Sequence, residues 1–356
     1  MRDIEIKSLD NKTLYNKDEK SCNAVERTIK DNPFAHLHDI PVEYYAEIQG
    51  CKVGTIKVFP MLVSAQGKNY IANCASGLSV SKEHRGKGIG TKLAKSRISS
   101  SPDNISIGAG LSEMSYPLYK KLGCHFFYSP RLGLLVNSHK FVKSFVGRMS
   151  AIIAPIVNLS ISILSLPLLI RGLKLKKRYQ VCKLEKACKE IEDIVNKDKK
   201  CFQEKHNVEW FNWVLSHSFT DNEAEKNHLY AIKNHKGEIE AFFMHKVRIK
   251  NNIRNIKNVR VTSLIEWGIE ENSRLNEKDI VAAFSAVARK QEADIIEVSF
   301  LSSSVMKSLK RMGFIKMLDG RIMLYVGEDS PLRKYDGWEK EENWRLRPAY
   351  SDYGFC

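Results

Sequence analysis

Two short corners of the same design stand 190 residues apart in this chain of 356: Tyr119-Lys-Lys-Leu-Gly123 and Leu309-Lys-Arg-Met-Gly313. Each reads as the last turn of a helix stopped by glycine. The same offset sets strand-like 71–80 on VTSLIEWGI (261–269), and ISIGA (105–109) on DIIEVSF (294–300), without a gap. A chain that repeats itself in this way is expected to build one architecture twice. Its length agrees, against about 150 residues per domain.

The order of elements defines that architecture. Residues 20–31 read as a helix ended before Pro33. YYAEIQ, KVGTIKVFPMLV and NYIANCASGLSV then read as three strands joined by turns at Gly50 and at Gln66-Gly67. The glycine-rich HRGKGIG follows, then a helix from Thr91, the strand 105–109 and the helix 115–123. In the second half LEKACKEIEDIVNKDKKC (184–201) reads as a charged helix. EIEAFFMHKVRI and VRVTSLIEWGI read as strands, about 277–290 and 306–313 as helices, and RIMLYV as the final strand. Strands, glycine loop, helix, strand and helix make an α/β (α+β) class.

Between the copies lies a different composition. Met149 to Ile170 is 22 residues without a charge, and RGLKLKKR (171–178) adds five positive residues and no negative one. Ile152, Ile156, Leu159, Ile163, Leu166 and Ile170 fall on one helical stripe. Ala154, Val157, Ile161, Leu164 and Leu168 occupy the other side, so the segment is apolar nearly all round. It is long enough to span a bilayer, yet Pro155, Pro167, four serines and Asn158 argue against a straight span. Three readings stay open: contact with an anionic membrane surface, burial between domains, and spanning.

The whole chain carries a formal charge of +16. Nucleic acid, an acidic membrane surface and a phosphate-rich cofactor are the partners such an excess points to. No zinc-finger spacing and no RNP-type aromatic motif is present, so nucleic acid is not the expected partner. The eight cysteines form no CxxC pair, which speaks against zinc and against a disulfide framework. MRDIEIKSLDNK lacks the apolar core of a secretory signal, and a cytoplasmic protein with reduced thiols is expected.

The stretch that carries chemistry is GLSVSKEHRGKGIGTKLAKS (77–96). Closely spaced glycines between a strand and a helix let backbone N–H groups converge on one concavity. The helix adds its free donors and the positive end of its dipole. The result is an anion cradle suited to a diphosphate. It lacks the GK[ST] ending of a nucleotide P-loop and the GxGxxG spacing of a Rossmann unit.

With strand GLSV, loop HRGKGIG, helix TKLAK and, about 30 residues on, SYPLYKKLGC, residues 1–140 resemble the GNAT superfamily of acyl-CoA-dependent N-acyltransferases. The resemblance implies two tandem GNAT-like domains, each a mixed, largely antiparallel twisted sheet flanked by helices. It implies an acyl-CoA-binding domain over 1–145, the apolar-basic linker over 146–178, and a degenerate copy with an aromatic tail over 179–356. Backbone amides of Arg85, Gly86, Lys87, Gly88, Ile89 and Gly90 would hold the CoA pyrophosphate, with Thr91 at the helix start. Main-chain groups of Leu78 and Val80 would bond the pantetheine arm, and Ser112 stands where relatives often place an asparagine that contacts CoA. Tyr119 would protonate the departing thiolate. Acetyl-CoA or another short acyl-CoA is the implied co-substrate, with no metal. An amine is the acceptor, an amino sugar of surface-polysaccharide synthesis if a looser likeness of the linker and tail holds.

Departures from the family pattern set the rival reading. No Asp or Glu lies between Ile71 and Ser81, where relatives often carry a general base, and Glu113 is either that base or a solvated loop residue. At the offset of 190, Arg85 falls on Leu275 and Tyr119 on Leu309, and no glycine occurs from Ile269 to Met312, so the second copy is expected not to bind acyl-CoA. Glu266 falls opposite Ser76, either as a surface strand residue or facing a groove shared by the halves. The aromatic WFNW (210–213) reads as core packing, while WRLRPAYSDYGF (344–355) reads as a sugar-stacking surface or a docked tail. The rival to an enzyme is a non-catalytic acyl-CoA-binding or membrane-surface scaffold at the inner face of the cytoplasmic membrane.

Overall fold

A computed structural model of the chain describes residues 4–350 apart from 19–20, 36–39, 110, 112, 221, 223 and 254. The first half runs β1 (Glu5–Leu9), α1 (Asn11–Tyr15), α2 (Ala24–Lys30), β2 (Glu43–Ile48), β3 (Cys51–Ala65), β4 (Lys68–Val80) and α3 (Ile89–Ile98). It ends with β5 (Ile105–Ala109), α4 (Ser115–Lys121), β6 (His125–Tyr128) and β7 (Arg131–Leu135). Three helices follow: α5 (His139–Val146), α6 (Ser150–Leu164) and α7 (Leu166–Arg178). The second half opens with β8 (Gln180–Leu184), α8 (Lys189–Asn196), β9 (Phe202–Glu204), α9 (Val208–Ser216) and β10 (Asn227–Lys233). It continues through β11 (Ile239–Lys250), β12 (Val259–Ile269), α10 (Glu277–Lys290), β13 (Ile295–Val298), α11 (Ser303–Arg311), β14 (Ile315–Leu318), β15 (Arg321–Val326) and β16 (Trp344–Arg345).

The repeat at 190 is present in space. One sheet is ordered β1-β2-β3-β4-β5-β15-β6 and the other β8-β10-β11-β12-β13-β7-β14, so equivalent strands hold equivalent places. Each is mixed and largely antiparallel, with one parallel pair along its length, β4 with β5 and β12 with β13. The expected fold class is borne out. One local reading is corrected: 184–201 is not one helix, because its first residue ends β8 and only Lys189–Asn196 coils.

Sheet membership does not follow chain order. β15 lies between β5 and β6, where Leu324 faces Ile107 on one side and His125 on the other. In return β7 lies between β13 and β14, with Gly133 opposite both Glu297 and Ile315. Each sheet is therefore completed by a strand from the other half. The links that make the exchange, Ser129-Pro130 and Asp319-Gly320, pass against each other, and Ser129 N donates to Gly320 O at 2.9 Å. A Cβ on Gly320 would stand well inside van der Waals contact distance of Ser129 O, so only glycine admits this crossing.

Between the sheets lies one buried cluster that includes Phe59, Met61 and Val63 of β3, Trp210 and Phe211 of α9, Phe242 and Met244 of β11, and Leu324 of β15. Burial of Trp210 and Trp213 bears out the packing reading of WFNW. The tail docks as well: β16 pairs with β9, and Trp344 Nε1 donates to Trp338 O at 2.6 Å. Residues 351–356 lie outside the described part. With a shared core and exchanged strands, the halves should unfold together. Gly320→Ala should lower chain stability by about 1–3 kcal/mol in one transition, followed in denaturant by far-UV dichroism and tryptophan emission. Two separated transitions would contradict the exchange.

Candidate acyl-CoA site

The site begins where β4 and β5 part. Their parallel pairing covers Ala72–Ile105, Asn73–Ser106 and Cys74–Ile107, and β4 then runs on to Val80 without a partner on that side. Its other edge stays paired with β3 as far as Val80 opposite Gly54. A register shift gives β4 one extra residue between Ser76 and Ser79, where Gly77 has φ +67°. Such a bulge raises local twist and turns backbone groups out of the ladder. Leu78 and Val80, both half-buried, lie on this splayed end.

Arg97, which the sequence reading did not single out, fixes the fork. It lies one helical turn after Leu93, on the apolar face of α3, and is almost wholly buried. Its Nε donates to Asn73 Oδ1 at 3.1 Å, and Nη2 donates to Asn73 O at 3.4 Å and to Ile107 O. Asn73 Nδ2 returns a bond to Arg97 O at 3.0 Å. One guanidinium thus ties β4 to β5 at the end of their ladder. A cation on an otherwise apolar helical stripe was the signal for it.

Above the fork lies the glycine loop. Arg85 Nε donates to Val80 O at 3.0 Å, which folds the loop back over the strand end. Gly86 and Gly88 have φ of +77° and +78°, and a Cβ at either would meet nothing within 4 Å, so both face open space. Arg85, Gly86, Lys87 and Gly88 are exposed, Ile89 is buried as the anchor of α3, Gly90 is half-buried, and Thr91 is exposed. No side chain caps α3 and no acid lies in its first turn. Its leading amides therefore keep their donors and the positive end of the helix dipole for an anion. α4 closes in on this end, since a Cβ on Gly90 would lie 3.3 Å from Leu118 Cδ1.

Tyr119 is buried rather than set at the groove surface. It packs with Ala94, Ile98, Cys124 and Met323, and the Arg97 guanidinium lies 5.9 Å from its ring centre. Burial raises the pKa of its phenol, against the pull of Arg97, so the proton is retained at neutral pH. Glu113 is exposed, and Ser112 lies outside the described residues.

The equivalent place in the second half is closed. α10 starts with a reciprocal cap between Asn276 and Asp279, and Glu277 adds a second acid. Arg171 of α7 lies on this end, with Nε 2.6 Å from Asp279 Oδ1 and Nη2 3.0 Å from Asn276 Oδ1. A helix end whose donors are taken by its own side chains, and which carries negative charge, rejects phosphate. Leu309, the counterpart of Tyr119, is fully buried.

Glu266 requires a correction: it is not a surface strand residue. It is fully buried, its Oε1 accepts from Arg345 Nη2 at 2.7 Å, and His206 Nδ1 lies 2.7 Å from its Oε2. His206 stacks on Trp210 at 3.5 Å, and the Arg347 guanidinium sits 4.1 Å from the Trp267 ring centre. Arg345 and Arg347 belong to the tail, so of its two readings the docked one holds for residues 344–350, through a buried ion cluster. Despite burial, Glu266 is held down at a pKa of about 2, chiefly by Arg345 and then by His206. Desolvation lowers His206 to about 4. Glu204 is pushed up to about 8 by burial and by the charge of Glu266.

Two outcomes follow. Glu204 has a folded pKa raised above the 4.5 of a free glutamate, so its neutral form stabilises the fold at low pH and that contribution is lost as pH rises towards about 8. His206 is depressed from 6.5, so its contribution is lost as pH falls from 6.5 towards about 4. Glu204→Gln should flatten the alkaline limb of a stability–pH curve and leave the acid limb in place, read from denaturation midpoints. At the loop, Gly88→Asp adds a carboxylate and strains a left-handed position, and should weaken CoA binding by at least about tenfold in calorimetry. Asn276→Ala should leave that affinity unchanged.

Residues 26–127 match the family model described as an acetyltransferase (GNAT) domain, which bears out the resemblance read from the loop. No curated protein sequence matches the chain. Among solved structures, Saccharomyces cerevisiae N-myristoyltransferase with bound myristoyl-CoA is 13% identical, over 91% of this chain and 82% of that one, at a TM-score of 0.53. A probable N-acyltransferase from Enterococcus faecalis V583 is 12% identical over 94% and 75%, at 0.55. A GCN5-related N-acetyltransferase from Anabaena variabilis ATCC 29413 is 10% identical over 91% and 73%, at 0.52. At these identities the likeness is one of fold, and it extends across both halves.

Proposed function

We propose, from the match of residues 26–127 to the acetyltransferase (GNAT) domain model, that this protein transfers an acetyl or another short acyl group from acyl-CoA to an amine. The observation that carries this reading is the contrast between two equivalent helix ends. That of α3 is uncapped, free of acid in its first turn and open beyond two glycines, while that of α10 is self-capped and covered.

In this reading the pyrophosphate lies on the amides of 85–90 beside Thr91, and the pantetheine arm takes the place β5 vacates beside Leu78 and Val80. A neutral amine attacks the thioester carbonyl, the C–N bond forms, the C–S bond breaks, and Tyr119 gives its proton to the thiolate; the surplus proton of the new amide nitrogen leaves to water, from which the Tyr119 phenolate is reprotonated. Arg97 is a positioning residue, because it holds the fork and the Tyr119 ring. With no acid between Ile71 and Ser81, we assign no general base on β4, and the amine would enter already neutral. The acceptor proposed is an amino sugar, on the looser likeness of the linker and tail; Trp210, Trp213 and Trp344 are buried and offer it no stacking surface. The location that goes with this chemistry is cytoplasmic, where CoA is held.

The test is thiol release from acetyl-, longer acyl- and myristoyl-CoA against amino sugars, amino-sugar nucleotides and peptide amines. Tyr119→Phe should lower kcat by about 10²-fold with the acyl-CoA KM unchanged. Unaltered kcat would remove Tyr119 from the reaction. Tight acyl-CoA binding with no release on any acceptor would favour a non-catalytic binder, the reading that the acid-free end of β4 supports.

A further inference from the structure

The linker presents its surfaces the wrong way round for a helix in water. On α6, Ile152, Ile156, Leu159 and Ile163 are each 61–68% exposed, and Phe145, Met149, Leu166, Ile170 and Leu173 extend the apolar surface onto the neighbouring turns. Asn158 and Ser165 face inward instead, while Ser160 is exposed and bonds its own helix. Asn158 Oδ1 accepts from Ser138 N at 2.8 Å, and Ser165 Oγ accepts from Arg289 Nη2 at 3.1 Å. Lys140 reaches Asp294 at 2.6 Å, and Arg171 is bound to Asp279. The protein uses the hydrogen-bonding side of the segment to hold it down and turns the aliphatic side outward.

Charge carried by the segment itself has one sign. From Met114 to Leu184 the sequence has no Asp or Glu and has 12 Lys or Arg. Lys143, Arg148, Lys174, Lys176, Lys177 and Arg178 are exposed beside the apolar stripe. A groove of about 700 Å³ opens next to Pro167 and Ile170, lined by Arg171, Lys174, Lys177, Arg178 and Arg274 together with Asp279, which is paired to Arg171. Exposed aliphatic groups ringed by cations complement a bilayer of anionic lipid, which supplies acyl chains to the first and headgroups to the second.

By length and composition, the helical run His139–Leu164 suffices to cross a bilayer. Its attachments oppose that. The segment leaves β7 and returns in β8, and both strands lie in the same sheet, with α7 packed on α10 on the way. A single crossing would pull that sheet apart.

We infer that the α5–α7 segment is a docking surface for an anionic bilayer, lying in the headgroup region with Ile152, Ile156, Leu159 and Ile163 towards the acyl chains. The inference is independent of the acyltransfer reading.

The experiment is sedimentation of the full chain with vesicles of phosphatidylcholine alone or with about 30 mol% phosphatidylglycerol. The anionic vesicles should bind at least about tenfold more tightly, and added salt should weaken them. Ile156→Asn with Ile163→Asn should cut partitioning by about tenfold or more, with the melting temperature and CoA affinity of the parent as proof of folding. Ile156→Trp should shift its emission to the blue on anionic vesicles only. The idea fails if both vesicle types bind equally or not at all, or if the double variant still partitions. It also fails if that variant instead dissolves a dimer, which would make the face a contact between two copies. Protein that resists extraction by high salt and alkali would overturn surface docking in favour of insertion.

Discussion

The crossing of Ser129-Pro130 over Asp319-Gly320 is the constraint on which the rest of the molecule depends. Because each link passes its strand into the opposite sheet, neither sheet is complete without the other half, and the fork between β4 and β5 is buttressed by a strand from the far end of the chain. Met323, on that imported strand, packs against Tyr119 and lies 3.7 Å from Arg97 through its sulfur. The candidate site of the first half is thus built in part from the second. The buried cluster of Glu266, His206, Arg345 and Arg347 adds a second tie, between β12 and the tail. Removing one partner of such a cluster leaves an uncompensated charge and costs about 3–5 kcal/mol.

The two halves carry equivalent helix ends of opposite chemistry. One has glycines before it and no acid in its first turn, as a phosphate cradle requires. The other carries Asn276, Glu277 and Asp279, is self-capped, and has a cation of the linker on it. Arg171 fills for α10 the electrostatic role that a diphosphate would fill for α3. The linker contact with α10 is what holds the helices that carry the outward stripe of α6.

Much of this was legible in the sequence because it rests on local rules. Glycine corners, two hairpin turns, the loop 85–90 and the stripe from Ile152 to Ile170 each declare themselves within about twenty residues. The exchange was not legible, since Ser129-Pro130 reads as an ordinary link between neighbouring strands, and only the partners chosen in three dimensions reveal where β7 goes. Glu266 escaped for a related reason. Strand alternation tells which residues share a face but not that a tail 79 residues later covers that face with Arg345. Arg97 was visible as an anomaly on an apolar stripe, yet its partners Asn73 and Ile107 come from two other strands.

The exchanged strands also impose an order in time. A ribosome that has just made β7 must still add the 191 residues between Leu135 and Val326 before the first sheet receives β15. At about 5–20 residues per second this takes roughly 10–40 s. Throughout that interval the apolar strand Ile105–Ala109 has an unfilled edge, the kind of surface on which nascent chains associate wrongly. A chain of this topology is exposed at that edge while it is being made, and one cut short before Val326 leaves the first sheet without its β15 strand.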